Sequence, residues 1–137
     1  MLRERILKRL CAAIVTLAVV NQAASFFSWY SLAWWFDMPM HFLGGVSVLY
    51  LGALLWLPAL SYVSVRRYLY EAVITAVLFG VLWEALELYL HVRFGSPDFV
   101  LLDSVSDVFF DLAGALLAAF GLAPVLEASS KKDREGV

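Results

Sequence analysis

Long apolar runs alternate with short polar breaks along this chain. Four runs stand out, at residues 6–27, 38–57, 68–92 and 103–126. Each reaches or approaches the ~20 residues an α-helix needs to cross the hydrocarbon core of a bilayer. The pattern predicts an all-α polytopic membrane protein, a four-transmembrane-helix bundle forming a single integral membrane domain over residues 1–137. Residues 28–36, SWYSLAWWF, are crowded with Trp and Tyr. Such rings favour the headgroup level, so this stretch reads as an interfacial connection. Asp37-Met38-Pro39 opens the second helix, with Asp suited to cap it and Pro tolerated in the first turn. Pro58 ends that helix, and Gly95-Ser96-Pro97 stops the third. Residues 128–137 are polar and are expected to form a disordered tail.

Composition strengthens this picture. Apolar residues make up 63% of the 137, against roughly 45–50% in a soluble domain, and the mean hydropathy is +0.82. Residues 1–9 carry four basic residues ahead of an apolar stretch, as in a signal peptide. It is too long for a typical signal sequence, and Gln22-Ala23-Ala24 is a poor cleavage site, so a retained helix is expected. Nine of the ten Lys and Arg residues lie in residues 1–9, in the 58–67 connection or in the tail; the tenth is Arg93. By the positive-inside rule both termini are cytoplasmic, in a multi-pass protein of the cell (inner or plasma) membrane. Basic patches with interleaved aromatics are missing, which excludes nucleic-acid binding. The single cysteine, Cys11, excludes an internal disulfide and a cysteine metal cluster.

The polar residues inside the runs carry the chemistry. Asp103, Asp107, Asp111 and Gly114 fall within about 80° of one helix face. Gly80, Glu84, Glu87 and His91 share about 60° of the third helix. Asp37, His41, Gly44, Gly45 and Val48 share about 100° of the second. With the predicted topology all of these lie at the outer end of their helices, as do Asn21 and Gln22 of the first. Small residues beside the acids let helices approach closely enough to share a ligand.

Six carboxylates crowd this layer: Asp37, Glu84, Glu87, Asp103, Asp107 and Asp111. Two carboxylates about 4 Å apart repel by roughly 4 kcal/mol at an effective dielectric of about 20. Either several are protonated or cations sit among them. Carboxylates with imidazole suit Mg, Mn, Fe or Zn, and bundle helices build di-metal sites from such sets. We expect one or two divalent metal ions, with Glu84, Glu87, Asp107 and Asp111 as ligands and His41 as ligand or general base. Asp37 and Asp103 would stand at the mouth of the site or behind the ligands. His41, Glu84 and Asp107 are the candidate catalytic groups. Plainer roles compete: Asp37 and Asp103 as N-caps, Glu84 and Glu87 snorkelling, His41 hydrogen-bonding a neighbouring helix, Trp83 packing.

Three motifs in order, Asp37-x-x-x-His41-Phe42-Leu43-Gly44-Gly45, Trp83-Glu84-x-x-Glu87 and Asp103-x-x-x-Asp107-x-x-x-Asp111-x-x-Gly114, resemble those of the YjdF-type family of small bacterial integral membrane proteins. The resemblance covers residues 37–114, with a more distant similarity to VanZ-like membrane proteins. It implies a polytopic membrane protein and supplies no activity. Family members are often longer, which implies that a homo-oligomer would supply the missing helices.

Three functions fit these residues. One is a metal-dependent hydrolase or transferase acting on a lipid or lipid-linked phosphate among membrane lipids. Another is a cation- or proton-coupled transporter, which would need polar groups through the apolar inner halves. The last is a non-catalytic, metal-stabilised membrane scaffold.

Overall fold

The computed structural model describes residues 2–60, 65–94 and 101–135. The described residues form five helices: α1 (Leu2–Phe26), α2 (Trp29–Leu32), α3 (Asp37–Leu60), α4 (Val65–Phe94) and α5 (Leu101–Glu135). All but α2 are long and apolar enough to span a membrane. The protein is a four-helix membrane bundle. Ser61 and Ser64 of the middle connection, and Gly95, Ser96, Pro97 and Asp98, lie outside the described residues.

Helix ends differ from the pattern-based expectation, with α1 starting at Leu2 and α4 reaching from Val65 to Phe94, and three further differences matter more. α3 runs to Leu60, past Pro58. α5 starts two residues before Asp103, so Asp103 lies inside its first turn rather than capping it. At the other end α5 continues to Glu135, so most of the expected disordered tail is helical. Ala, Glu, Lys and Arg in that stretch are strong helix formers, and a polar composition does not by itself end a helix.

The aromatic segment folds as expected for a short connection. Ser28 adopts a left-handed conformation, with φ 58° and ψ 32°, which turns the chain sharply out of α1. Its carbonyl then accepts from Ser31 and Leu32 at 3.0 and 3.1 Å, starting α2. Phe36 collects the rings of Trp29 and Tyr30 edge-on, at 5.4 and 5.2 Å. Beneath them Phe36, Met40 and Ala24 form a small buried cluster joining α1 to the start of α3.

α3 packs against α1, α4 and α5, most extensively against α5. α5 packs in turn against α4. Its inward face is small, with Ala115, Ala118 and Ala119 buried together with Ala72 and Ala76 of α4 and Ala53 of α3. Alanines let helix axes close up where lipid supplies no hydrophobic drive. The tightest crossing is between α3 and α5. A Cβ on Gly45 would overlap the Asp111 carbonyl group, and one on Gly114 would overlap that of Phe42. Pro124 cannot donate to the Phe120 carbonyl one turn earlier. At the adjacent carbonyl of Gly121, Arg9 of α1 donates from Nη1 at 3.4 Å. The outward faces are apolar, including Leu78, Phe79 and Leu82 of α4. Continuous apolar exposure of this kind marks a membrane-facing surface.

Candidate metal centre

The α3–α5 crossing fixes the geometry of the acidic layer. Because Gly45 and Gly114 bring the two backbones together, Asp111 projects into a space bounded by Gly44 and Gly80. A Cβ on Gly44 would lie 3.3 Å from Asp111 Oδ1, and one on Gly80 would lie 2.9 Å from Oδ2. The glycines beside the acids are therefore room for a carboxylate as well as for a helix. Asp107 sits one turn above Asp111 on the same face, and His41 one turn below Asp37 on α3.

His41 is the hub. Its Nδ1 lies 3.4 Å from Asp111 Oδ2. On the other side of the ring, Nε2 lies 3.7 Å from Asp37 Oδ2 and 3.9 Å from Asp107 Oδ2. These separations exceed a closed N–H···O bond of about 2.9 Å, so the imidazole stands among the carboxylates without being locked onto one. Asp107, His41, Asp111 and Glu84 are 3%, 7%, 8% and 9% exposed, which takes snorkelling away as an explanation of Glu84.

α4 supplies the third wall. Glu84 Oε1 is buried with no hydrogen-bond partner among the described residues. Glu87 Oε1 accepts from Trp83 Nε1 at 2.8 Å. Two overlapping sets of potential ligands result: Asp37, His41 and Asp107, and His41, Glu84 and Glu87. Within each set, the ligand atoms lie within 4.8 Å of one another. An orphaned, buried carboxylate oxygen beside an imidazole is a costly arrangement unless something positive completes it. The donor set therefore fits a divalent cation with oxygen and imidazole preference.

Five of the six carboxylates singled out above are thus gathered around the His41 ring. Asp103 is exposed on the first turn of α5 and belongs to neither set. His91, one turn beyond Glu87, is also outside both. Asn21 does not join the layer. It is exposed and accepts from Tyr30 Oη at 2.7 Å.

Two side chains were missed from the sequence. Trp83, read as packing, is about half exposed and tethers Glu87 through its indole N–H. Tryptophan and glutamate at i and i+4 were a visible signal for that bond. Tyr30 had no such signal. Its phenol is pushed above its ordinary value by burial first, then by the nearby charges of Asp37 and Glu87, which puts it at the rim of the layer.

A bundle of membrane-length helices with an internal acid–imidazole layer defines a multi-pass membrane protein, whose usual location is the cell membrane. Residues 3–128 match the model of a family described as "predicted membrane protein (DUF2238)", and the chain belongs to that family. No curated protein and no solved structure matches it.

Proposed function

We propose that this protein binds one or two divalent cations in the His41 layer and acts there, as a hydrolase or transferase, on a lipid or lipid-linked phosphate. The observation that carries the proposal is Glu84: a buried carboxylate oxygen without a partner among the described residues, in one ligand set with an imidazole that already has three other carboxylates within 4 Å.

The ring divides the roles. With a cation bound, Asp111, 3.4 Å from Nδ1, would accept the ring N–H and so set the tautomer, leaving Nε2 as the ligand atom. Metal-bound histidines are commonly held this way by a carboxylate behind them. Asp37 and Asp107, which lie toward Nε2, together with Glu84 and Glu87 of the second set, would complete the donors. This revises Asp111 from ligand to positioning residue and raises Asp37 to ligand. Asp103 serves at the mouth. A cation held here would supply Lewis acidity toward phosphoryl oxygens and a water of lowered pKa.

The charge distribution supports cytoplasmic termini, which puts the layer in the outer leaflet, at headgroup depth. The three motifs of residues 37–114 support a YjdF-type affiliation within the membrane family. Transport gains no support: below the layer, Leu49, Ala53, Ala76, Ala115, Ala119 and Leu122 form a closed apolar core.

Metal analysis of purified wild type beside Asp107→Ala and Glu84→Ala tests the site. Bound divalent metal in wild type and its loss in both variants, with helicity unchanged, is the expected result. Equal metal content in all three refutes it. Release of phosphate from a lipid phosphate in detergent, metal-dependent and lost in Asp107→Ala, tests the reaction.

A further inference from the structure

α1 gives no residue to either ligand set, yet it is tied to the start of α3. Leu17, Val20 and Ala24, at i, i+3 and i+7, form one stripe of α1 and pack in a single cluster with Phe36 and Met40. Ala24, Phe36 and Met40 are all buried. Phe36 immediately precedes Asp37, and Met40 immediately precedes His41. Each α3 contribution to the acidic layer therefore has a buried apolar neighbour held by α1.

Rotation is what that neighbour can fix. Successive residues of a helix point about 100° apart, so Met40 turned toward α1 dictates where His41 points. The glycine crossing of α3 with α5 sets how closely the two backbones approach, at Gly45 and Gly114. It lies one turn further along α3 than His41 and two turns beyond Asp37. Polar contacts do not hold the first turn either. The Asp37 side chain is 38% exposed and stands 3.7 Å from His41 Nε2, and His41 Nδ1 stands 3.4 Å from Asp111. Both separations exceed a closed hydrogen bond of about 2.9 Å. The aromatic connection completes the anchor. Trp29 and Tyr30 meet Phe36 edge-on, the Phe36 N–H donates to the Ala33 carbonyl at 2.9 Å, and Tyr30 Oη donates back to Asn21 of α1 at 2.7 Å.

We infer that Phe36 and Met40, packed against Ala24 of α1, are positioning residues of the acidic layer: they set the rotation of the first turn of α3 and so the direction of Asp37 and His41. The effect on cation affinity rests on the metal reading of the layer; the effect on the backbone does not.

Two measurements on Phe36→Ala test this, with Ile6→Ala as control. Ile6 is fully buried in the other core cluster, about 27 Å along α1 from Ala24, so its loss weakens α1 packing far from the site. In metal-free protein, hydrogen exchange at the amides of His41–Leu43 should be about tenfold faster in Phe36→Ala and unchanged in Ile6→Ala. In titrations with Mn²⁺, Phe36→Ala should bind about tenfold more weakly than wild type, as for loss of a group that orients a ligand, and Ile6→Ala within about twofold of it. With Asp37→Ala already present, Phe36→Ala should cost less than it does in wild type, whereas with Asp107→Ala its cost should be undiminished. Unchanged exchange at His41–Leu43 overturns the inference, as does equal weakening by Ile6→Ala. A wild type that binds no divalent cation refutes the metal proposal instead, and the exchange result still decides this one. Should either variant not fold, the milder pair Phe36→Leu and Ile6→Val decides in the same way.

Discussion

Gly114→Ala should damage the protein far more than its size suggests. The new methyl would fall on the carbonyl of Phe42, 2.9 Å from its carbon and 3.2 Å from the Phe42 Cα. Backbone cannot swing aside as the tip of a side chain can, so α3 and α5 would have to part by ~1 Å. Overpacking of this kind costs about 1–3 kcal/mol. Gly121→Ala supplies the control within the same helix, because a Cβ there meets no heavy atom within 4 Å. It should be neutral or stabilising by about 0.5–1 kcal/mol, the ordinary helix preference for alanine over glycine. The separation also acts on the site, since Phe42 adjoins His41 and Gly114 lies three residues from Asp111. Ligand sets tolerate displacements of only about 0.5 Å. Unfolding of both variants in mixed micelles, followed by circular dichroism, should separate them by about 1–4 kcal/mol. Metal content should fall in Gly114→Ala alone. If Gly114→Ala unfolds with Gly121→Ala and keeps its metal, the close crossing is not what builds the site.

Other outcomes follow from particular contacts. Asp111→Ala should weaken divalent binding about 10–100-fold, while Asp111→Asn should cost less because its amide oxygen still accepts from Nδ1; isothermal titration measures both. Trp83→Phe, which removes the donor to Glu87, should weaken binding less than about tenfold and leave thermal stability within about 1 kcal/mol of wild type. The Tyr30 phenol has a raised pKa, so its contribution to stability is complete below the ordinary value of 10.0 and is lost as pH rises through the raised one. Ultraviolet titration should therefore show a late-ionising tyrosine that disappears in Tyr30→Phe and moves to lower pH in Asp37→Asn. A Tyr30 that ionises with the exposed tyrosines would contradict its placement at the rim.

Much of this molecule was legible in its pattern of apolar positions. The four spanning helices, the aromatic connection and the common level of the acids all follow from periodicity and rise. Helix ends were less legible, because a composition change at residue 128 signals departure from the membrane core, not the end of hydrogen bonding. α5 runs on to Glu135 for that reason. Angular arcs placed His41 beside acids, but an arc cannot say which ring nitrogen faces which carboxylate. That depends on how closely α3 and α5 approach, which Gly45 and Gly114 decide together. Asp103 has the right face and spacing yet stays outside, one turn too near the end of the bundle. Tyr30 was invisible because its proximity to Asp37 and Glu87 comes from the turn at Ser28, a backbone conformation that serine rarely signals.

One ring shared between two acid groups has a thermodynamic consequence. Asp37 and Asp107 in one set and Glu84 and Glu87 in the other communicate through the charge of a single imidazole. A change felt at Glu87 would alter the balance at Asp37 without either side chain moving. Double substitutions across the ring should therefore be non-additive in the native protein, and additive once His41 has been replaced.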